Sequence, residues 1–421
     1  MIRLVPTLSG LSGLALCSLL ACEINNDPDP AACEEESGRI DELSEERAAV
    51  VQDNSAFGWD LYHQFREDDA NLFFSPISIS AALDMTRIGA RGETLDEMAA
   101  LLGGSEDEGL RHAEQGGLLQ ELDDSDSCGV TLDIANRIFA QSGLGLDPDF
   151  TNSLDIDYGA PAEQIDYSAD PEAARQRINA WVSDNTASKI PELLAEGIIN
   201  GYTRLVLANA IYMKADWAEP FDATRTADTD FTRIDGSTVN ASMMHNQLED
   251  GYFYADIEGG QLVELPYEGD ELSMVLVVPD EIDGLVELES TLNEDVVQTW
   301  FDALSPAGVS LQMPSLEMRW SQELSEPLQN LGMELAFQDI GDFSGITDEI
   351  NLFISAVVHQ AYVKIDEEGT EAAAATAVVA TTDSAPAYHY VTADHPFLFL
   401  VRDRITDSVL FIGRVADPTA G

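Results

Sequence analysis

Apolar residues recur along the chain with two periods, and their alternation lays out the elements. From Ser44 onward, Val50, Val51, Phe57, Leu61 and Phe65 are spaced as one face of a helix. Leu72-Phe73-Phe74 reads as a short strand. Ser75-Pro76 then opens a helix over Ile77 to Ile88, with serine as N-cap and proline in the first turn. That helix holds Ser78 and Ser80 within an apolar surround. The next presents Leu95, Met98, Ala99 and Leu102 on one face and stops at Gly103-Gly104. Residues 105 to 129 are mostly acidic and read as helix and loop. Asn136 to Ala140 predicts part of a strand, and Asp170-Pro171 caps a helix striped by Ala174, Ile178, Trp181 and Val182. Leu205 to Tyr212 is almost continuously apolar, as a strand buried on both faces would be. Asn209 sits at its centre, where a buried amide needs partners. Leu352 to Ile365, holding His359, is another apolar run and reads as a buried strand or helix. Further strands are expected at 228–234, 238–244, 252–256, 261–266, 272–278 and 309–313. The last two, Phe397 to Val401 and Val409 to Val415, are joined by a charged turn.

One stretch fits neither period. Glu367-Glu368-Gly369-Thr370-Glu371-Ala372-Ala373-Ala374-Ala375-Thr376 continues through Ala377-Val378-Val379-Ala380-Thr381-Thr382-Asp383-Ser384-Ala385. Its alanines favour helix, whereas the β-branched residues from Thr376 favour strand. As a strand it would set Thr370, Ala372, Ala374, Thr376, Val378 and Ala380 on one small, largely apolar face. No proline interrupts it before Pro386. An Ala/Thr linker is the plain reading, but the segment lies between two core pieces, 352–365 and 391–400, where linkers are seldom placed. A segment able to be loop in one state and buried strand in another fits better.

No internal repeat or long linker divides 44–418, which reads as one α+β domain. Residues 1–21 have a targeting pattern: Arg3, then an apolar stretch from Leu8 to Leu20. Leu19-Leu20-Ala21-Cys22 resembles a bacterial lipobox, with Cys22 as lipid anchor; the alternative is an ordinary signal peptide cut near Ala21. Residues 22–46 read as an acidic disordered spacer, and 47–418 as the folded domain. An exported, membrane-tethered product is expected, periplasmic or at the cell surface. Cys33 and Cys128 then remain in an oxidising compartment that permits a disulfide.

Composition narrows the partners. The 421 residues carry 20 Lys+Arg against 78 Asp+Glu, a formal charge of -58. Nucleic acid and other polyanions are disfavoured, since both need clustered basic charge, and region 105–125 offers heparin only Arg111. So acidic a surface points to adaptation to salt. Enzyme signatures are absent: there is no CxxC, HExxH, GxSxG or phosphate-cradling glycine loop. The six histidines are scattered without metal-ligand spacing, and no cofactor or metal is expected.

Several segments, taken in order, resemble the serpin family. They are Asn71-Leu72-Phe73-Phe74-Ser75-Pro76-Ile77-Ser78, Leu207 to Trp217, His359-Gln360-Ala361-Tyr362-Val363, the small-residue stretch from Glu367 to Thr376, and Val391 to Leu400. Together they run across 44–418.

The resemblance implies a fold of about nine helices and three β-sheets, with an exposed reactive loop near 369–390. It implies a suicide inhibitor. A serine or cysteine protease attacks the loop and forms an acyl-enzyme; the cut loop then inserts into the large sheet, one of the known modes of conformational switching. A new strand of about twelve residues, at ~0.5–1.5 kcal/mol net per hydrogen bond, gains on the order of 10 kcal/mol. That is comparable to a domain's whole stability of ~5–15 kcal/mol, so the uncut form must be kinetically trapped. Residue by residue, Glu367, Gly369, Thr370, Glu371, Ala372, Ala373, Ala374, Ala375 and Thr376 match the hinge, with Gly369 supplying backbone freedom. Ser75, Ser78, Asn209 and His359 match the shutter beneath the opening sheet, and Trp217 the breach where the loop enters. Where many members place a lysine opposite the hinge glutamate, this chain has Ser315, so a salt bridge from Glu367 is not expected and gating should differ. Counting as in inhibitory relatives places the reactive bond between Asp383 and Ser384, with cuts after Thr382, Ser384 or Ala385 as alternatives. The expected partner is a target protease held covalently by a monomeric inhibitor. The rival is a non-inhibitory member acting as carrier, chaperone or plain substrate, although such members often lose the small-residue hinge kept here.

Overall fold

The structure, a computed structural model, describes residues 43–66, 70–105, 107–123, 130–370 and 387–420. The targeting segment, Cys22, the spacer, Cys33, Cys128 and the loop from Glu371 to Pro386 lie outside these residues.

Nine α-helices are present among the described residues: α1 (Glu45–Phe65), α2 (Pro76–Arg87), α3 (Gly92–Leu102), α4 (Glu108–Asp123), α5 (Pro148–Ile156), α6 (Pro171–Asp184), α7 (Leu285–Thr291), α8 (Glu294–Ala303) and α9 (Ser325–Asn330). Their starts follow local chemistry. Ser75 Oγ accepts from the Ser78 amide with Pro76 at the first turn, and Asp170 accepts from the Ala173 amide. Gly103, at φ +90°, ends α3 as expected.

The strands form two hydrogen-bonded sheets. The larger orders β1 (Leu72–Phe74), β15 (Val409–Val415), β14 (Phe397–Asp403), β8 (Leu272–Pro279), β7 (Gly260–Pro266), β6 (Thr238–Ile257), β9 (Ser305–Pro314) and β13 (His389–Thr392), with β5 (Ala227–Thr232) on β6. The third sheet of the expected fold is the far end of this one, joined to it because β6 runs unbroken through 20 residues. Sequence reading split β6 into 238–244 and 252–256. Asp250-Gly251 looks like a turn, but Gly251 at φ +108° sits where the pairing register shifts, so the strand bulges and continues.

The second sheet has six strands in the order β10 (Leu316–Glu323), β11 (Ala356–Ile365), β12 (Gly369–Thr370), β4 (Leu205–Asp216), β2 (Val130–Gln141) and β3 (Glu163–Ile165). Helix α2 runs between the sheets, packed on β15 to one side and on β2 and β4 to the other. Every residue from Pro76 to Arg87 is buried, which explains the lack of a polar face. Its serines therefore lie directly beneath the centre of the six-stranded sheet.

Candidate functional site

The middle of the six-stranded sheet is a fork. Strands β4 and β11 pair in parallel from Ala356 opposite Val206 to Tyr362 opposite Tyr212. Above that point they part, and β12 fills the gap. Thr370 is opposite Ile365 of β11 and Ala215 of β4, and Gly369 is opposite Asp216. Two residues of the ambiguous stretch are thus already in the sheet, antiparallel to both neighbours.

Several contacts hold them there. The Thr370 side chain is buried and its Oγ1 lies 2.9 Å from the Tyr267 hydroxyl. Tyr267 stacks flat on Trp217, with ring centroids 4.6 Å apart. Trp217 Nε1 donates to the Asp366 carbonyl at 3.0 Å, and its backbone amide donates to the Glu368 carbonyl at 2.9 Å. The Phe221 amide donates to the Glu367 carbonyl at 2.7 Å. Lys364 Nζ donates to Asp366 at 2.6 Å, closing the turn into β12. Glu367 accepts from Thr226 Oγ1 at 2.6 Å, while Ser315 bonds the Ser242 carbonyl through its amide. The hinge glutamate is therefore held by a hydroxyl, in keeping with the absence of the lysine.

Besides the backbone freedom expected of a hinge, Gly369 meets a steric requirement. It is not at a positive φ; a Cβ there would sit 2.1 Å from the Ala215 carbonyl oxygen and 2.7 Å from Asp216 Cα. It is the close approach to β4 that excludes a side chain. The mouth of the fork is also acidic. Burial raises the Asp216 carboxyl pKa; Lys214 opposes the shift, and Glu368 and Asp366 reinforce it. Burial and Asp216 raise Glu268 as well.

Below the fork lies a buried polar cluster. His359 on β11 is opposite Asn209 on β4, which is opposite Asn136 on β2. Asn209 Nδ2 donates to the Ser78 carbonyl at 2.7 Å and contacts Ser78 Oγ at 2.6 Å and Asn136 Oδ1. Its Oδ1 faces His359 Nδ1. His359 Nε2 accepts from the Ser75 amide at 3.2 Å, so the ring's single proton is on Nδ1, donated to Asn209. Burial pulls its pKa down to about 3, so the ring is neutral. This cluster bonds β4 to β11 at the point any strand entering the fork must pass.

The structure brings together Ser75, Ser78, Asn209 and His359 as one group, and Trp217, Glu367, Gly369 and Thr370 as another. Glu371 to Thr376, Asp383 and Ser384 lie outside the described residues. Sequence reading missed Asn136, Tyr267 and Thr226. Asn136 carried a signal, being an amide in an apolar strand like Asn209; Tyr267 and Thr226 carried none, since only the fold brings them to the hinge. Arg111 is buried against Asp53, Asp84 and the Leu102 carbonyl, and so presents no cation to a polyanion. No helix among the described residues is long and apolar enough to cross a membrane, and no cluster of potential metal ligands occurs among them.

Comparison with known proteins agrees with this geometry. Residues 52–418 match the family model described as Serpin (serine protease inhibitor). Leukocyte elastase inhibitor of Bos taurus is 38% identical over 376 residues, covering 87% of this chain and 98% of its own. The protein of the same name from Xenopus tropicalis is 37% identical over 369 residues, covering 86% and 97%. Among solved structures, human thyroxine-binding globulin complexed with thyroxine aligns at a TM-score of 0.81 and 30% identity, over 89% of this chain and 100% of that one. Uncleaved ovalbumin aligns at 0.80 and 26%, over 88% and 100%.

Proposed function

The chain belongs to the serpin family of serine protease inhibitors, and from that premise we propose that it is a suicide inhibitor that traps its target as a covalent acyl complex. It is an inhibitor rather than an enzyme. The observation that carries the proposal is the lodging of Gly369 and Thr370 between β4 and β11 while the chain is intact.

Extending that register one residue at a time along β4 brings Thr376 opposite Asn209 and Ala380 opposite Leu205. The slot is thus as long as the small-residue stretch. Thr376, with a hydroxyl, would arrive in the polar cluster where His359 now bonds Asn209. Insertion exchanges one partner of Asn209 for another and leaves no buried amide stranded. The residues that follow Thr370 are small and uncharged after Glu371, as a strand threading between two others requires.

In the reaction, the protease's nucleophilic oxygen or sulfur attacks the carbonyl of Asp383. The bond to the Ser384 nitrogen breaks, that nitrogen leaves with a proton, and the carbonyl carbon stays esterified to the protease. Release of the loop's distal end then permits 371–380 to insert and carry the acyl-enzyme with them. Asp383 before the bond suits an Asp-specific protease; cleavage after Thr382, Ser384 or Ala385 would suit an elastase- or subtilisin-like one. Cys22 as lipid anchor and the acidic spacer would hold a monomeric inhibitor at the membrane surface, exported to meet such enzymes.

The test is incubation with a panel of serine and cysteine proteases, followed by denaturing electrophoresis and intact mass measurement. An adduct at the summed mass is expected, and the released peptide locates the bond. Quantitative cleavage without adduct would overturn inhibition and leave a non-inhibitory role.

A further inference from the structure

Both roots of the reactive loop border one sheet face. Tyr390 of β13 is in register with Ser310 of β9, and Ser310 with Gln247 of β6, so the three side chains share that face. Thr392, Gln312 and His245 form the next row along it. The opposite face turns Val391, Leu311 and Asn246 inward, all buried. On the open face Gln247, Gln312 and Thr392 are exposed, and Tyr390 is 72% exposed. None of these side chains is a carboxylate, in a chain with 78 Asp+Glu. An exposed aromatic ring on a surface cleared of acid has the composition of an interface rather than of a solvated sheet.

Arg225, in the short turn before β5, extends the face. Its Nη2 donates to His245 Nδ1 at 2.6 Å, and His245 Nε2 lies 3.2 Å from Ser310 Oγ, in the row of Tyr390. Burial, and then the Arg225 charge, lower the His245 pKa, so the ring is neutral and accepts. Arg225 is exposed and forms no ion pair among the described residues, which leaves guanidinium N–H groups for a carboxylate from outside. One residue on, Thr226 Oγ1 donates to Glu367 at the proximal root of the loop. At the distal root, Ala387 is separated from Ser384 by at most about 11 Å of extended chain, and Tyr390 by at most about 22 Å. A protease domain of about 200 residues has a radius of gyration of about 16 Å, so one closed on that bond is broad enough to cover Tyr390.

We propose that this face is a second contact for the target protease, formed in the encounter complex before the loop is cut. Tyr390 packs on an apolar patch beside the protease's cleft, and Arg225 pairs with a carboxylate there. The face thus selects a protease whose cleft has an acidic, partly apolar rim, whereas the charge of the chain as a whole favours any basic partner. The proposal rests on the reading of the loop as the segment a protease attacks. Because the contact precedes acylation, it acts on the rate of attack and not on the fate of the acyl-enzyme.

The experiment follows attack on the loop of the intact protein by pancreatic elastase, subtilisin and a caspase, counting cleaved product and adduct together. With whichever enzyme cuts fastest, Tyr390→Ala should lower kcat/KM for attack at least about tenfold, through KM with kcat unchanged. Tyr390→Phe should keep the parent rate, and Arg225→Gln should lose several-fold. The fraction of attacks that end in adduct should be the same in every variant, and equal melting temperatures show that all fold. A parental attack rate in Tyr390→Ala would overturn the contact; one in Arg225→Gln alone would overturn the acidic rim. A loss confined to kcat or to the adduct fraction would also overturn the contact, since the face would then shape the loop or its insertion. Cleavage without adduct would defeat the inhibitory reading while the attack rates still decide the contact. A loop that none of the three enzymes cuts would defeat both.

Discussion

The hydroxyls of Thr370 and Tyr267 lie 2.9 Å apart, one on the piece of hinge already in the sheet and the other on the ring stacked over Trp217. Both residues are buried, so neither hydroxyl has water as an alternative. Removing one alone strands the other, at a cost of about 1–3 kcal/mol, whereas removing both leaves nothing unpaired. Tyr267→Phe and Thr370→Val should each lower the urea midpoint, and the double variant should lose less than their sum. Strict additivity would show that the pair does not hold the hinge.

The same burial sets what the hinge tolerates. Thr370→Arg would place a guanidinium inside the sheet without a counter-ion, which expels β12 from the fork. Gly369→Val meets the Ala215 carbonyl oxygen, with the same effect. Both variants should be cleaved in the loop as fast as the parent but form little or no covalent complex. Gel quantification of adduct against cleaved product checks this, and undiminished adduct from Thr370→Arg would refute insertion along the observed register.

These residues also mark how far the sequence could be read. The apolar run at 205–212 announced a doubly buried strand and that at 352–365 a buried strand or helix, and the polar residues within them, Asn209 and His359, announced buried groups in need of partners; only the family resemblance grouped them. Their partnership with Ser75, Ser78 and Asn136 needs the parallel register of β4 with β11 and the placing of α2 beneath both, which no local pattern encodes. Gly369 was legible as special through the backbone freedom a hinge needs; its close approach to β4, which also excludes a side chain, was not legible. The partition of 371 onward between loop and strand is illegible locally because alanine and threonine leave both open, and that openness is what a two-state segment requires.

The charge imbalance predicts a dependence on salt. Burial of Arg87 and Arg111 in ion pairs with Asp84, Asp53 and Glu108 places some of the few cations inside, so the surface is more one-sided still than the composition. Repulsion among exposed carboxylates weakens as the screening length falls from about 30 Å at 0.01 M to about 3 Å at 1 M. The melting temperature of the intact protein should therefore rise between dilute buffer and seawater-like salt. A flat or falling response would remove the case for salt adaptation.

The last prediction concerns pH. Neutral His359 accepts the Ser75 amide proton at Nε2 and gives its own proton to Asn209, so a second proton on the ring would face Ser75 N–H in a site without solvent. Burial accordingly lowers its pKa to about 3, against about 6.5 in an unfolded chain. Above pH ~6.5 neither state binds the proton, and the full stability is present. Between there and about 3 the unfolded chain takes up a proton that the native state refuses, so stability falls as pH falls, by at most about 1.4 kcal/mol per pH unit. Carboxylates add their own acid dependence, which a difference measurement cancels. His359→Gln should be less stable than the parent at pH 7, because Asn209 and Ser75 lose their fitted partner. The gap should then narrow steadily toward pH 4, as only the parent carries the histidine's linkage. Urea unfolding of both proteins across that range decides it: a gap independent of pH would mean that His359 does not titrate with folding. Because the same ring bonds β11 to β4, the ring takes the proton only once this clasp opens and admits water, so acidification favours the opened clasp that an entering strand must pass. Incorporation of a synthetic peptide of the sequence 371–380 into the intact parent should accelerate from pH 7 to pH 5, and do so less in His359→Gln.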